Sequence, residues 1–266
     1  MLNAINARLQ LETGEMDYIR FGSGEKTLVM IPGVGDGLKT VKGMAQPFAL
    51  LYRKLAKDFT VYVFSRRVDL PAHSSTREMA ADLKLALDAL GIDKAAVVGV
   101  SMGGMIAQWL AIDYPEKVEK LVLTVTCARP NDTAREVIGR WMEMAERGDY
   151  RAIMLDTAER SYSPKRRPMA VLTAKLMGNY GRPESFDRFL TQAEACLTHD
   201  AEKELGRISC PTLVIGGTDD RVVTGVASHE IASRIAGSRM KLYKGLGHAL
   251  YEEAPDFLEL VRDFCV

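Results

Sequence analysis

Short, continuous apolar runs recur along the chain at intervals that leave room for a helix between them. A continuous run without polar alternation is typical of a strand that is buried on both faces of a sheet. The runs are residues 27–31, 60–64, 95–100, 120–126, 211–215 and 239–243. Strand–helix alternation requires parallel strands with right-handed crossovers, so the pattern predicts an open, mostly parallel α/β sheet with helices on both faces.

The segments between and before these runs carry helix and hairpin signals. Residues 75–78 (Ser-Thr-Arg-Glu) have the form of a capping box, and apolar residues at a 3.6-residue period follow them. A second helix is predicted from about 102 to 114, because Pro115 ends it. Residues 5–21 alternate polar and apolar positions on either side of a Thr-Gly pair, which predicts an N-terminal hairpin.

The alternation stops from about 129 to 207, where four helical patterns replace it. An insertion between two parallel strands lies near the carboxyl ends of the strands, where such sheets bind ligands. We therefore expect a core of residues 1–128 and 208–266 and an inserted all-helical cap of residues 129–207 that covers the site.

Composition narrows the functional classes. Lys and Arg number 35, as do Asp and Glu, so the chain has no cationic excess for binding nucleic acid. The chain shows no secretory signal, and glycines interrupt the one uncharged stretch of membrane-spanning length, residues 95–112, so no membrane association is expected. The four cysteines form no CxxC pair, which favours reduced thiols in a cytoplasmic protein without a metal site.

The strongest chemical motif is Gly99-Val100-Ser101-Met102-Gly103, which has the form G-x-S-x-G between a buried strand and a helix. A tight strand-to-helix turn holds the serine in a strained conformation and raises its hydroxyl above the sheet. The serine also begins a helix, where free amides and the helix dipole favour developing negative charge.

Together with residues 216–223 (GGTDDRVV) and 247–258 (GHALYEEAPDFL), this motif resembles the α/β-hydrolase fold superfamily over nearly the whole chain. The resemblance implies that Ser101 is the nucleophile and His248 the base, with an acid after a late strand. Asp219 and Asp220 compete for the place of the acid; Asp219 aligns better, three residues after Gly216, and we predict that it orients His248.

The resemblance also implies an oxyanion hole made by two backbone amides, those of Val34 and Met102. Relatives usually carry His-Gly in the first of these loops, whereas this chain has Pro32-Gly33. A second departure is the pair Arg66-Arg67, where many relatives have a glycine-rich loop. These arginines either bind an anionic group at the site or, as we expect from general burial trends, lie in a solvated loop.

Several other side chains are expected to have no catalytic role. Histidines outside the motifs are predicted to be surface or loop residues, and the cap methionines either pack ordinarily or, less favoured, line a pocket for apolar groups. Cys127 has no adjacent base that would make it a second nucleophile. The histidines are His73, His199 and His229, and the methionines are Met142, Met144, Met154, Met169 and Met177.

The sequence therefore predicts a serine hydrolase that forms an acyl-enzyme with a small carboxylic ester or lactone, as a monomer or homodimer that needs no cofactor. Three alternatives remain open with the same residues. The triad could transfer the acyl group to an alcohol or amine, or it could hydrolyse a carbon–carbon bond in a diketone. The protein could also be a ligand receptor of the same fold with a slow triad.

Overall fold

One eight-stranded sheet runs through the protein, in a computed structural model that describes residues 2–266. The strands are β1 (Ile5–Leu11), β2 (Gly14–Phe21), β3 (Lys26–Ile31), β4 (Phe59–Arg67), β5 (Ala95–Val100), β6 (Val118–Thr124), β7 (Thr212–Gly217) and β8 (Arg239–Tyr243). Their order in the sheet is β1-β2-β4-β3-β5-β6-β7-β8. The first two pairings, β1 with β2 and β2 with β4, are antiparallel, and all the others are parallel.

Ten α-helices in the described residues connect or follow these strands. They are α1 (Ala45–Leu51), α2 (Thr76–Ala89), α3 (Met102–Asp113), α4 (Asp132–Glu146), α5 (Tyr150–Ser161), α6 (Arg167–Met177), α7 (Asp187–Thr198), α8 (Gly225–Arg234), α9 (Leu250–Glu253) and α10 (Phe257–Cys265). Short 3-10 turns occur at Val34–Gly37, Pro115–Lys117 and Leu205–Arg207.

The sheet is covered on both faces because its central strands are apolar on both sides. In β5, Ala95 and Val97 belong to one apolar cluster, and Ala96 and Val98 belong to the other. The first cluster includes side chains of α2, α3 and α8, and the second includes those of α1, α9 and α10. The predicted α/β-hydrolase architecture, a mostly parallel sheet between two helical layers, is confirmed.

Local sequence signals also match the structure. The hairpin joins β1 and β2, with Leu11 paired with Gly14. In the capping box, the Ser75 hydroxyl accepts the Glu78 amide while the Glu78 carboxylate accepts the Ser75 amide. α3 ends at Asp113, before Pro115. Within residues 2–266, no helix has the length and apolar character needed to cross a bilayer.

The four helices α4 to α7 follow one another between β6 and β7, where the sequence showed no strand pattern. α7 packs against the Val34–Gly37 turn that follows β3, so this helical segment reaches the carboxyl ends of the strands. Asn131 and Asp149 cap α4 and α5 through their side chains, which accept the amides of Ala134 and Ala152. The helical segment is therefore placed over the edge at which the motifs meet.

Candidate active site

Ser101 occupies the sharp turn between β5 and α3. Its backbone angles are φ 55° and ψ −122°, outside the conformations that an L-residue with a side chain prefers. The neighbouring glycines are required sterically: a Cβ on Gly103 would lie 1.9 Å from the carbonyl oxygen of Ile31, and one on Gly99 would lie 2.4 Å from that of Gly103. The strained serine is thus held by close packing of backbone on backbone.

His248 lies in the loop between β8 and α9 and connects two other candidate residues. Its Nε2 is 3.0 Å from the Ser101 hydroxyl oxygen, and its Nδ1 is 2.8 Å from Oδ2 of Asp220. The His248 backbone is held in place on both sides by the Ser161 carbonyl. On one side a Cβ on Gly247 would meet this carbonyl, and on the other side the Ala249 amide donates to it. Hydroxyl, imidazole and carboxylate form one hydrogen-bonded line.

The prediction that Asp219 orients His248 is wrong. Asp219 is exposed, and its Oδ1 accepts a hydrogen bond from the Thr218 hydroxyl at 2.7 Å. The Asp219 amide still donates to the carbonyl of Leu246, so the chain turns toward the imidazole one residue later than the alignment indicates. Asp220, the competing aspartate, is 5% exposed and takes the place beside His248.

The Asp220 carboxyl is buried, and burial by itself raises a carboxyl pKa. The His248 imidazole and the amides of Val222 and Val223, which donate to Oδ1 at 2.8 and 3.0 Å, outweigh burial and hold the pKa of Asp220 below its ordinary value. An ionised Asp220 accepts a hydrogen bond from the Nδ1–H group, so Nε2 is left to accept a hydrogen bond from the Ser101 hydroxyl. Two apolar residues after Asp220, with buried amides that need an acceptor, are the sequence signal that favours it over Asp219.

Val34 and Met102, which were expected to supply the oxyanion hole, each occupy the first position of a helical turn. First-turn amides have no acceptor within their own helix, so both N–H groups are available for a developing negative charge. The two loops are in contact, because a Cβ on Gly33 would lie 3.3 Å from Cβ of Ser101. The structure therefore brings both loops to the serine.

The expectation of solvated loop arginines at 66 and 67 is wrong: Arg66 is 3% exposed and Arg67 is 8% exposed. β4 continues through both residues, which places them beneath the loop that follows β3. The Arg66 guanidinium donates to the carbonyl of Pro32, and to that of Gly33 at 3.4 Å. The Gly33 carbonyl shares a peptide group with the Val34 amide, so Arg66 braces the loop that carries this amide.

Asp36, which the sequence did not single out, compensates the charge of this arginine. Its buried Oδ2 accepts the Arg66 amide at 3.1 Å and the Arg188 guanidinium at 2.6 Å. Arg188 also donates to the carbonyls of Arg66 and Arg67. Burial lowers the pKa of Arg66, and the Asp36 carboxylate opposes this effect. No local sequence pattern indicates this network, because Arg188 reaches it from α7, more than 100 residues away along the chain.

A cavity of about 410 Å³ opens beside Ser101 and His248. Helices α4, α5 and α7 supply a largely apolar wall, and the loop after β3 supplies the opposite wall, which includes the exposed cation Lys39. The helical residues of this wall are Trp141, Tyr150, Ile153, Met154, Thr157, Ser161 and Phe189. The volume falls within the range of roughly 300–1,000 Å³ that is typical of small-molecule sites.

The remaining chemically interesting residues divide between the cavity and the protein interior. Met154 lines the cavity, whereas Met144 is buried in the core, so the cap methionines serve both of the roles considered. Cys127 is fully buried, and burial raises the pKa of its thiol, which disfavours the thiolate. His73 and His229 are exposed as expected.

His199 differs from that expectation, because it is only 3% exposed although it follows the end of α7. Its Nδ1 is 2.8 Å from the hydroxyl oxygen of Thr76, at the start of α2. Among residues 2–266, no group of three or more His, Cys, Asp or Glu side chains is arranged to hold a metal ion.

Comparison with known proteins gives consistent results. The family model for the alpha/beta hydrolase fold matches residues 26–255. The chain is 29% identical to a 2-hydroxy-6-oxononadienedioate/2-hydroxy-6-oxononatrienedioate hydrolase of Klebsiella pneumoniae subsp. pneumoniae, over 91% of this chain and 88% of that protein. It is 30% identical to the putative carbamate hydrolase RutD of Pseudomonas savastanoi pv. phaseolicola, over 73% and 78% of the two chains.

Among solved structures, the enol-lactonase from Burkholderia xenovorans LB400 superposes with a TM-score of 0.82 at 21% identity, covering 97% of this chain and 99% of that one. At this identity the likeness concerns the fold. The two sequence relatives are both named as hydrolases.

Proposed function

Because the chain belongs to the alpha/beta hydrolase fold family, we propose that this hydrolase cleaves small carboxylic esters or lactones through an acyl-enzyme formed on Ser101. One observation carries the proposal, the hydrogen-bonded line from the Ser101 hydroxyl through His248 to Asp220, with contacts of 3.0 and 2.8 Å. The substrate is a small molecule with an acyl group, held in the adjoining cavity of about 410 Å³.

Acylation begins when the Ser101 oxygen attacks the carbonyl carbon and His248 Nε2 takes the hydroxyl proton. The carbonyl oxygen becomes an oxyanion that the amides of Val34 and Met102 stabilise, with each such donor worth about 3 kcal/mol in comparable sites. Asp220 stays ionised and stabilises the imidazolium. His248 then gives its proton to the departing alcohol oxygen, and the acyl group remains on Ser101.

Deacylation repeats the sequence with water as the nucleophile. His248 Nε2 takes a proton from water, whose oxygen attacks the acyl carbon, and the second oxyanion forms at the same two amides. The proton returns from His248 to the Ser101 oxygen as the acid product leaves. Apart from the substrate, all the groups in these steps belong to this chain or to solvent.

The cytoplasmic location and the monomeric or dimeric state of the protein stay predictions.

Labelling with a fluorophosphonate tests the proposal. We expect a covalent adduct on the peptide that contains Ser101, together with hydrolysis of p-nitrophenyl butyrate, and we expect the loss of both in Ser101→Ala. Ser185→Ala is the matched control, because Ser185 is exposed and belongs to the loop before α7. Ester hydrolysis that persists unchanged in Ser101→Ala would refute the proposed nucleophile.

A second candidate reaction is the hydrolysis of a carbon–carbon bond in an acidic diketone. The Klebsiella relative is named for 2-hydroxy-6-oxononadienedioate, a dianionic substrate. In this chain Lys39 lines the catalytic cavity, is exposed and makes no ion pair with any of residues 2–266, so a cation is available for a substrate carboxylate.

The two reactions are separated by comparing kcat/KM for that dienedioate and for a neutral ester of similar size. If the diketone is the substrate, its kcat/KM exceeds that of the ester, and Lys39→Ala raises KM for the dianion but not for the ester. Ester turnover without diketone turnover rejects the second candidate.

A further inference from the structure

A second cavity of about 480 Å³ lies between α5 and α6, and neither Ser101 nor His248 lines it. One wall is the face of α5 that includes Met154 and Ala158. The other wall is the face of α6 that faces α5, together with the turn after this helix. The α6 side consists of Met169, Ala170, Thr173, Ala174, Met177, Gly178 and Tyr180. We call this cavity the α5–α6 cleft.

The cleft adjoins the catalytic cavity. Tyr150, Met154 and Thr157 line both, and their spacing of four and three residues places them along one stripe of α5. Ser161, the last residue of α5, lines the catalytic cavity, and Tyr162, which follows it, lines the cleft. The side chains of this stripe border both spaces, and the methionine among them is unbranched and can change its rotamer at low cost.

The lining of the cleft indicates the chemistry of its occupant. Three methionines and three alanines line the cleft together with three tyrosines and two threonines, and these uncharged side chains offer mainly dispersion contacts. The two charged members stand at the rim: Arg166 and Glu252 are both exposed. The Glu252 carboxylate is already engaged, because it accepts the Tyr162 hydroxyl at 2.5 Å.

Helix α6 is also more loosely packed than the helices around it. Ala174 is its one buried residue, while Met169 is 63% exposed and Met177 is 48% exposed. Apolar side chains that face a neighbouring helix across an open cleft gain burial when an apolar group fills the space. Burial of these α6 side chains would therefore contribute favourable free energy to the binding of an apolar group in the cleft.

We propose that the α5–α6 cleft binds an apolar chain of the substrate, so that the enzyme accepts acyl groups of medium length as well as short ones. The carbonyl end of the substrate lies at Ser101, and its apolar chain passes Tyr150, Met154 and Thr157 of α5 into the cleft. This proposal rests on the proposed ester or lactone hydrolysis and specifies its substrate class.

The test fills the cleft without touching the catalytic cavity. Ala170→Trp places an indole in the cleft, since Ala170 lines it and is only half-buried. Leu176→Trp is the matched control, because Leu176 belongs to the same helix, is 78% exposed and does not line the cleft. Two readouts are taken for each protein: kcat/KM for p-nitrophenyl butyrate and decanoate, and calorimetric binding of decanoic acid, the product of the longer ester.

We expect Ala170→Trp to lower kcat/KM for the decanoate at least about tenfold and to weaken decanoic acid binding by a similar factor, with butyrate turnover changed less than about twofold. Leu176→Trp leaves all three values as in the wild type. Equal losses on both esters, or decanoic acid binding that Ala170→Trp does not weaken, would overturn the cleft as a chain-binding site. Absence of ester turnover and of Ser101 labelling, with decanoic acid binding still sensitive to Ala170→Trp, would refute only the hydrolytic function.

Discussion

The two sides of the substrate region are built in different ways. Helix α3 follows the strained Ser101, and eleven of its twelve residues are buried. At Gly103 the backbone of this helix lies so close to β3 that there is no room for a Cβ. Of the eleven residues of α6, which closes the α5–α6 cleft, only Ala174 is buried. We refer to these as the fixed side and the open side.

The difference has a physical reason. Proton transfer along Ser101, His248 and Asp220 requires positions that are correct within a fraction of an ångström, and close packing supplies them. Binding an apolar chain requires contact area rather than a fixed geometry, and flexible side chains supply it. We therefore expect substitutions on the fixed side to change rate or stability strongly, and substitutions on the open side to change substrate preference.

The largest effect is expected from the two adjacent aspartates on the fixed side. Asp220→Asn removes the carboxylate that accepts a hydrogen bond from the Nδ1–H group of His248. The imidazole then no longer presents a basic Nε2 to Ser101. We expect kcat to fall by roughly 10³–10⁴-fold, as for loss of the corresponding charge in other serine triads. Steady-state kinetics on p-nitrophenyl butyrate measure this change.

Asp219→Asn is the control for that substitution, because the Asp219 side chain is exposed and contacts the Thr218 hydroxyl instead of the imidazole. It should leave kcat within about twofold of the wild type, since exposed substitutions away from the reacting groups have small effects. If Asp219→Asn proved as damaging as Asp220→Asn, the assignment of the acid from geometry would be wrong.

The next effect concerns two helical glycines, Gly103 on the fixed side and Gly139 in α4. An Ala side chain at Gly103 would place its Cβ 1.9 Å from the Ile31 carbonyl oxygen, so β3 or α3 must move. We expect the free energy of unfolding to fall by about 3 kcal/mol, the upper part of the range for overpacked sites, as measured by urea denaturation. Gly139→Ala is the matched control, since Gly139 lies within α4 and a Cβ there meets nothing within 4 Å.

Gly139→Ala should raise the free energy of unfolding by up to about 1 kcal/mol, because alanine favours a helix interior over glycine. A loss of stability in both variants to the same extent would show that the tight backbone contact at Gly103 is not what distinguishes the fixed side.

Some site residues could be predicted from local sequence patterns, and others depend on distant parts of the chain. Ser101 and its glycines could be predicted because each is dictated by local requirements: a sharp turn, close backbone approach, and a hydroxyl beside a helix start. The order of Ser, Asp and His was predicted from the resemblance to the fold family. The choice between Asp219 and Asp220 also depends on where the chain after β7 stops pairing with the segment after β8. The local signal, two apolar residues after Asp220, does not by itself show that their amides are buried.

The buried arginines illustrate what local patterns omit. Arg66 was expected in a solvated loop, yet its partners are the carbonyls of Pro32 and Gly33 and the carboxylate of Asp36, some 30 residues earlier in the chain. Burial of a charge becomes tolerable only when such partners converge, and their convergence is a property of the assembled sheet. The α5–α6 cleft is likewise a gap between helices, which the periodicity of either helix does not contain.

A smaller effect is expected from His199, which ties the end of α7 to α2. Burial lowers the pKa of His199 to about 3, and the nearby Asp200 carboxylate opposes this only in part. The folded protein thus keeps His199 neutral, whereas the unfolded chain takes up a proton below about pH 6.5. Stability is therefore lost as the pH falls from 6.5 toward 3, by roughly 2–3 kcal/mol at pH 4.5 from this group alone.

His199→Gln should make the decrease in unfolding free energy between pH 7 and 4.5 shallower by about that amount, because glutamine does not titrate. Urea denaturation at the two pH values measures it, and His229→Gln, at an exposed helix position, is the control. An unchanged slope in His199→Gln would mean that His199 is not the group that couples this junction to acid.

The smallest effect is expected on the outer face of the open side. Leu176 is 78% exposed, so Leu176→Ala removes almost no buried surface, and we expect the free energy of unfolding to stay within about 0.5 kcal/mol of the wild type. The same substitution at Leu110, which is fully buried in α3, should cost about 2–5 kcal/mol through lost burial and the cavity left behind. Urea denaturation of the two variants measures the contrast directly. A cost for Leu176→Ala that approaches the cost for Leu110→Ala would mean that α6 packs as tightly as the fixed side, and the cleft beneath it could then not open to admit a substrate chain.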